Sequence, residues 1–419
     1  MTPASVPATS SGSTRPSYRR TVRNRPFLFL WIAQLVSQSG DYVFAVALLW
    51  LVLEVTGSAF AVGIVVAGTI LPGVLLGPFL GVYIDRWDRR RTLVVTNVVQ
   101  GFVVAALSAL VVAGLTSLTG VFLAVLVLGS GATIVRVATR AYVPSVVPVA
   151  DLPPATSLLS FSGSLNQVLG LSLGGILVAL LGVALPIEYD AVSFFAAALI
   201  LLLIPTRPSP ADADAAPQSY RTELTEGLAF VRRNRFMVEL ILIGVVVNFF
   251  GNGVFALYAP YAEFVLHGGP SAYGFLGAFT AAGAIVGAGV MGRIDAHRTA
   301  GRYLFGGGVA IGGTVLALGF ARELVWALTL MLALGAILEV TNIPIEVVMQ
   351  AKIPRQLLGR VGAAFGAFVM AAGPVGPLFA GWLAQRWSVS DVFLLSGAII
   401  AATIGGGAVV MTSLRTVEY

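Results

Sequence analysis

The chain has 419 residues, of which 57% are hydrophobic and 11% charged, with 48 glycines, 21 prolines and no cysteine. A soluble domain carries about 25% charged residues, so a water-soluble globular protein is excluded; so are disulfides, thiolate metal sites and cysteine nucleophiles. The net charge of +6 comes from 25 basic residues, 24 of them Arg and one Lys352. They cluster between apolar runs instead of forming one phosphate-binding face, so no nucleic-acid partner is expected.

Residues 1–25 are rich in Ser, Thr, Pro and Arg and contain no apolar run. They are expected to be a disordered cytoplasmic tail, and lack the short apolar core of a signal peptide. Runs long enough to cross a bilayer, which takes roughly 20 residues, then follow one another. Spans are expected at 27–53, 58–82, 92–114, 119–141, 156–182 and 186–205, and again at 236–262, 271–294, 301–320, 323–349, 359–385 and 391–413. A transmembrane barrel would show short alternating segments instead. The fold class is therefore all-α and polytopic, with one six-helix bundle over 26–205 and a second over 236–414. Residues 206–235 read as a cytoplasmic linker, flexible over Pro208–Pro217. In it Leu224, Leu228 and Val231 fall at i, i+4 and i+7, the pattern of a short helix on the inner membrane face. Residues 415–419 form a second tail.

An even number of spans puts both termini on one side. With the tails inside, 23 of the 25 basic residues fall in cytoplasmic segments, leaving Arg322 and Arg386 outside. Positive residues in short loops stay in the cytoplasm, so both termini are expected there and the protein in the plasma membrane. The chain also repeats: Asn24 recurs as Asn234, Asp85 as Asp295 and Pro144 as Pro354, each 210 residues on. Such internal duplication is how many secondary transporters are built, with the site between the halves near the midplane.

Polar groups inside apolar spans are the candidate site. Asp41 is near the middle of span one, where a charged Asp costs about 2.5–3.5 kcal/mol. It suits proton coupling or cation recognition, or a carboxyl bonded to neighbouring helices. Glu339 and Glu346 share one face of span ten with Asn342 between them. They could form a ladder for protons or a cationic solute, and Glu346 alternatively an inner-gate ion pair. Arg136, with Arg140 one turn on, could pair with Asp41 or attract an anion. Gln34, Gln38, Asn166, Asn248 and Asn252 either line a cavity or bond helix to helix. No metal-ligand spacing and no Walker loop is present, so neither a metal, a cofactor nor direct ATP drive is expected. No catalytic constellation is found, so an enzyme is not expected.

Between spans two and three lies Gly81-Val-Tyr-Ile-Asp85-Arg86-Trp-Asp88-Arg89-Arg90-Arg91. Its Gly-x-x-x-Asp-Arg-x-x-Arg-Arg-Arg spacing, with twelve spans and a mid-chain linker, resembles the loop signature of the major facilitator superfamily. The drug-proton antiporter branch, with macrolide efflux proteins and enterobactin exporters, is the nearer likeness. It rests on Asn24-Arg-Pro-Phe, Gln34–Asp41, Gly77–Arg91 and Arg136–Leu152. The antiporter stretch Gly-Pro-x-x-Gly-Gly reads Gly170-Leu-Ser-Leu-Gly174-Gly175 here, with Leu171 in place of proline. The resemblance implies a gating role for Gly81, Asp85, Arg86, Arg89 and Arg90. It also implies a monomeric, proton-coupled exporter of hydrophobic or amphipathic small molecules working by alternating access. The alternatives are an exporter of a defined metabolite such as a siderophore, leaning on Arg136, and a membrane sensor that keeps the fold without transport.

Overall fold

In the bilayer core no water is available to backbone amides and carbonyls, so each spanning segment must satisfy its own. The computed structural model describes residues 17–84, 87–205, 228–293, 300–354 and 357–411. Among them are twelve helical stretches long and apolar enough to cross a membrane, and no strand. Spans one to six are Arg25–Thr56, Ala59–Ile84, Arg89–Val112, Leu118–Val146, Leu152–Leu181 and Ala184–Leu202. Spans seven to ten are Arg235–Ala256, Gly269–Met291, Ala300–Phe320 and Leu324–Lys352. Span eleven is Leu358–Ala371 continued by Val375–Ala384, and span twelve is Val389–Val410.

The ends of these helices follow from local chemistry. Gly57, at φ 60°, closes span one in the left-handed region that only glycine enters freely. Asp88 caps span three by accepting from the Arg91 amide at 2.8 Å. Ser388 and Asp391 form a capping box on span twelve. Span seven stops at Ala256, short of the expected 262, and a separate helix Tyr258–Phe264 follows. Pro260 has no amide to give the Ala256 carbonyl four residues back. Span eleven is broken at 372–374 in the same way, because Pro374 cannot donate to Met370.

The N-terminal segment departs from the expected disorder. Tyr18–Arg23 is a helix capped by Ser17. The Arg20 guanidinium grips Asp151, in the turn before span five, through Nε and Nη2. The Ser17 amide donates to the same carboxylate at 3.2 Å, and Asn24 Nδ2 donates to the Val146 carbonyl at 2.6 Å. A buried carboxylate needs such partners, and they order a segment whose composition alone gives no reason to fold. The linker helix expected over 220–231 lies largely outside the described residues; 228–233 are helical and Val231 is buried.

Neighbour relations reveal the duplication. In the first half, spans two, four, three, six, one and five follow one another around an arc. In the second half the order is eight, ten, nine, twelve, seven and eleven, the same order six spans on. The arcs meet where span five touches span eight and span two touches span eleven. Span one also reaches span four directly, through Gln34 Nε2 to Thr139 Oγ1 at 3.1 Å. Spans three and six therefore lie behind, and spans one and four face the second half; seven and ten take the equivalent places.

Close packing between the halves is concentrated at one end. A Cβ on Gly175 would meet the Pro270 carbonyl at 2.7 Å, and one on Gly381 the Ala59 carbonyl at 2.7 Å. Gln385 Nε2 donates to Ser58 Oγ at 2.6 Å. Approaches of this kind extend inward as far as Ile70 against Gly373 and Leu171 against Gly277. Within the second half, spans eight and ten interlock: Gly283 and Gly287 lie on the backbone of Leu332 and Ala336, and Gly335 on that of Thr280.

Two tests address this packing. Gly335→Val overpacks a backbone contact and is expected to cost about 1–3 kcal/mol, read as a lower unfolding temperature in detergent. Asp151→Asn removes the charge that Arg20 grips; faster hydrogen exchange at residues 18–23, with the rest of span five unchanged, is the expected result.

Candidate transport site

Gln34, Gln38 and Asp41 fall at i, i+4 and i+7, so span one presents them as a single stripe. At its lower end Gln34 is buried and bonded to Thr139 of span four. Gln38 Nε2 donates to Gln34 Oε1 at 3.3 Å. Asp41, at the upper end, is exposed. The other faces of span one are occupied. Gly40 lies against Asp190 and Ser193 of span six, and Tyr42 and Val43 cover Gly170 and Gly174 of span five. The free side of Asp41 is thus the one toward the space between the halves.

Behind it stands a group that the sequence reading passed over. Asp190 is 1% exposed, and its Oδ1 accepts from Ser193 Oγ at 3.3 Å. It packs on Gly40, the residue next to Asp41 in span one. Two carboxyls therefore share the middle of the first half, one open and one sealed. The signal was present: an acid inside the apolar run Ala184–Leu202 is as costly as Asp41 is.

The remaining candidates separate by partner. Asn166 is buried and donates to the Leu35 carbonyl at 2.8 Å, tying span five to span one. Asn252 Nδ2 donates to both the carbonyl and the Oδ1 of Asn248 at 2.8 Å. Asn248 in turn faces Gly373, where spans seven, eleven and two converge. Arg136 is exposed on span four, near Gly73 of span two, and among the described residues no acid pairs with it. Arg140, one turn on, is exposed as well.

On span ten, Asn342 and Glu346 are exposed and Glu339 is half-buried. The two carboxylates stand two turns apart on one face of the helix. Thr341, between them in sequence, points the other way and packs on Gly307 of span nine.

Of the charged loop, Asp85 and Arg86 lie outside the described residues, as does Asp295 in its repeat. Gly81 lies within the helix of span two, and Arg89 opens span three. Arg90 donates from Nε to the Leu201 carbonyl at 3.1 Å and from Nη2 to the Leu202 carbonyl at 2.6 Å. The last carbonyls of a helix have no partner within it and carry its negative pole. Arg90 thus ties the start of span three to the end of span six.

Two six-helix halves in the same order, meeting through spans five and eight and spans two and eleven, are the architecture of a secondary transporter of the major facilitator class. The chain belongs to the family described as transmembrane secretion effector, whose model matches residues 19–419. Macrolide efflux protein A of Streptococcus pyogenes is 23% identical over 383 residues, covering 89% of this chain and 93% of that protein. The multidrug efflux pump Tap of Mycobacterium tuberculosis is 28% identical over 433 aligned positions, covering 96% of each. Among solved structures, the nucleoside transporter NupG superposes with a TM-score of 0.73 at 12% identity, over 94% of this chain and 100% of that one. A bacterial homologue of the human lysosomal transporter Spinster, inward-facing and occupied, gives 0.73 at 15% identity, over 96% and 99%.

Arg90→Ala leaves two helix-end carbonyls without their charged donor. The expected loss is about 1.5–3 kcal/mol, measured by thermal unfolding, with Arg90→Lys recovering part of it.

Proposed function

We propose that this transporter exports hydrophobic or amphipathic small molecules in exchange for protons, by alternating access, with Asp41 as the group that exchanges solute for proton. The observation that carries this reading is the open carboxyl at mid-span in front of a sealed one, Asp190. An ionised carboxylate at that depth is expensive unless something compensates it. A proton or a cationic solute can do so, and the two then compete for one site. The efflux names of the relatives support an outward direction.

The distribution of basic residues supports a cytoplasmic position for both termini. The end at which the halves meet is then the outer one, and the space between them opens inward, toward cytoplasmic solute. Asn342 and Glu346, exposed on span ten, extend the polar wall toward that opening. The loop of Asp85 and Arg86 would lock the opposite state from inside. A second reading has its own support: Arg136 is a cation without an acid partner among the described residues, and would suit an anionic metabolite.

The test is proton release from purified protein in weak buffer, on addition of lipophilic cations, macrolides or catecholate siderophores. Release by the wild type and none by Asp41→Asn, with binding retained, is the expected outcome. It should be largest at a pH where free Asp41 is protonated, and vanish where it is already ionised. Solute binding without release in either protein would overturn proton exchange. Release that depends on Arg136 and not on Asp41 would favour the second reading.

A further inference from the structure

Two opposite charges of the first half turn toward the space between the halves, and neither is met. Asp41 on span one and Arg136 on span four are both exposed. Among the described residues neither has a hydrogen-bond or ion-pair partner. Glu339 and Glu346 stand on the other half, and among the described residues no ion pair joins either to Arg136. The guanidinium of Arg136 is turned to span two: a Cβ on Gly73 would meet its Nη2 at 3.8 Å. One turn from Gly73, Ile70 meets Gly373 of span eleven, at the inner limit of the close approaches between the halves. Arg136 thus stands just beneath that seal and opens on the same space as Asp41.

The relative heights of the two charges follow from one hydrogen bond. Gln34 of span one is bonded to Thr139 of span four, which fixes the register of two antiparallel helices. From that level Asp41 lies about 10 Å toward the seal and Arg136 about 4–5 Å, at about 1.5 Å per residue. Asp41 is therefore about 6 Å nearer the seal, on a different helix. Gln38, donating to Gln34 at 3.3 Å, continues the polar stripe below it. A charge at such depth is expensive unless something compensates it. A proton or a cation on Asp41 leaves the charge of Arg136 standing. An anion on Arg136 does nothing for Asp41. A solute that carries both signs answers both and adds no net charge.

We propose, building on Asp41 as the group that exchanges solute for proton, that the site takes an amphipathic zwitterion. Its ammonium lies on Asp41, its acid group on Arg136, and the two are carried on separate arms of an apolar frame. The ammonium takes the place of the proton on Asp41. The acid group accepts hydrogen bonds from the guanidinium, whose planar fork suits a carboxylate. Affinity for cations at Asp41 and for anions at Arg136 then belongs to the two ends of one molecule.

The test uses the full-length protein in phosphatidylcholine nanodiscs, titrated by calorimetry against empty nanodiscs. The probes are an 11-aminoundecanoic acid, its methyl ester and its N-acetyl derivative: one chain with both charges, with the cation alone and with the anion alone. The wild type is expected to bind the zwitterion about tenfold more tightly than either derivative, the scale of one charge-assisted hydrogen bond. Asp41→Asn should bring the zwitterion to the level of the N-acetyl acid. Arg136→Gln should bring it to the level of the ester, with no loss for the ester itself. A zwitterion held no more tightly than the ester by the wild type would overturn the proposal, and that comparison needs no variant to fold. So would an advantage of the zwitterion that survives Arg136→Gln. Proton release, followed in the same titrations, separates this outcome from the exchange on which it builds. Release on binding the ester, without added affinity for the zwitterion, removes the two-charge site and leaves proton exchange standing. A tenfold advantage without release from either ligand keeps the two-charge site and removes proton exchange.

Discussion

Helices in a bilayer gain little by hiding apolar surface from one another, because lipid is as apolar as they are. What holds this bundle together is close approach of backbones at small residues. Three contacts show it: spans eight and ten at Gly283, Gly287 and Gly335, spans nine and twelve at Gly312 and Gly397, spans five and eight at Gly175 and Gly274. A side chain at any of these positions would meet backbone, which cannot yield. Larger residues such as Phe194 and Tyr261 fill the remaining space and are fully buried. Tyr261 Oη lies 2.9 Å from the carbonyls of Leu318 and Ala321, at the end of span nine. Packing and helix termination are thus met together.

The spans were legible in the sequence because hydropathy needs no knowledge of neighbours. Ends were legible wherever the cap is local, as at Gly57 and Asp88. The short helix Tyr18–Arg23 was not, because what orders it is Asp151, over a hundred residues away. The end of span seven could have been read from Pro260, whose missing amide falls four residues after Ala256.

The site was legible in part. Periodicity alone places Gln34, Gln38 and Asp41 on one stripe, and Glu339, Asn342 and Glu346 on another. It cannot say how a helix is rotated against its neighbours. For that reason the sequence could not separate Asn166, bound to the Leu35 carbonyl, from Asp41, whose carboxyl is open. Asp190 lies in span six, one layer further back, and only the approach of Gly40 brings it to Asp41. Arg90, too, carried two messages in one residue. Its charge counted toward orientation, while its guanidinium geometry suits the carbonyls of Leu201 and Leu202.

The grip of Arg20 on Asp151 joins the start of the chain to the first half alone, and span twelve belongs wholly to the second. Reporter groups at residue 17 and at residue 411 would therefore ride on different bodies. Neither would be blurred by motion within its own half, and their separation would read the angle between the halves directly. The chain in this way carries its own goniometer, with one arm fixed by a single ion pair and the other by the last helix.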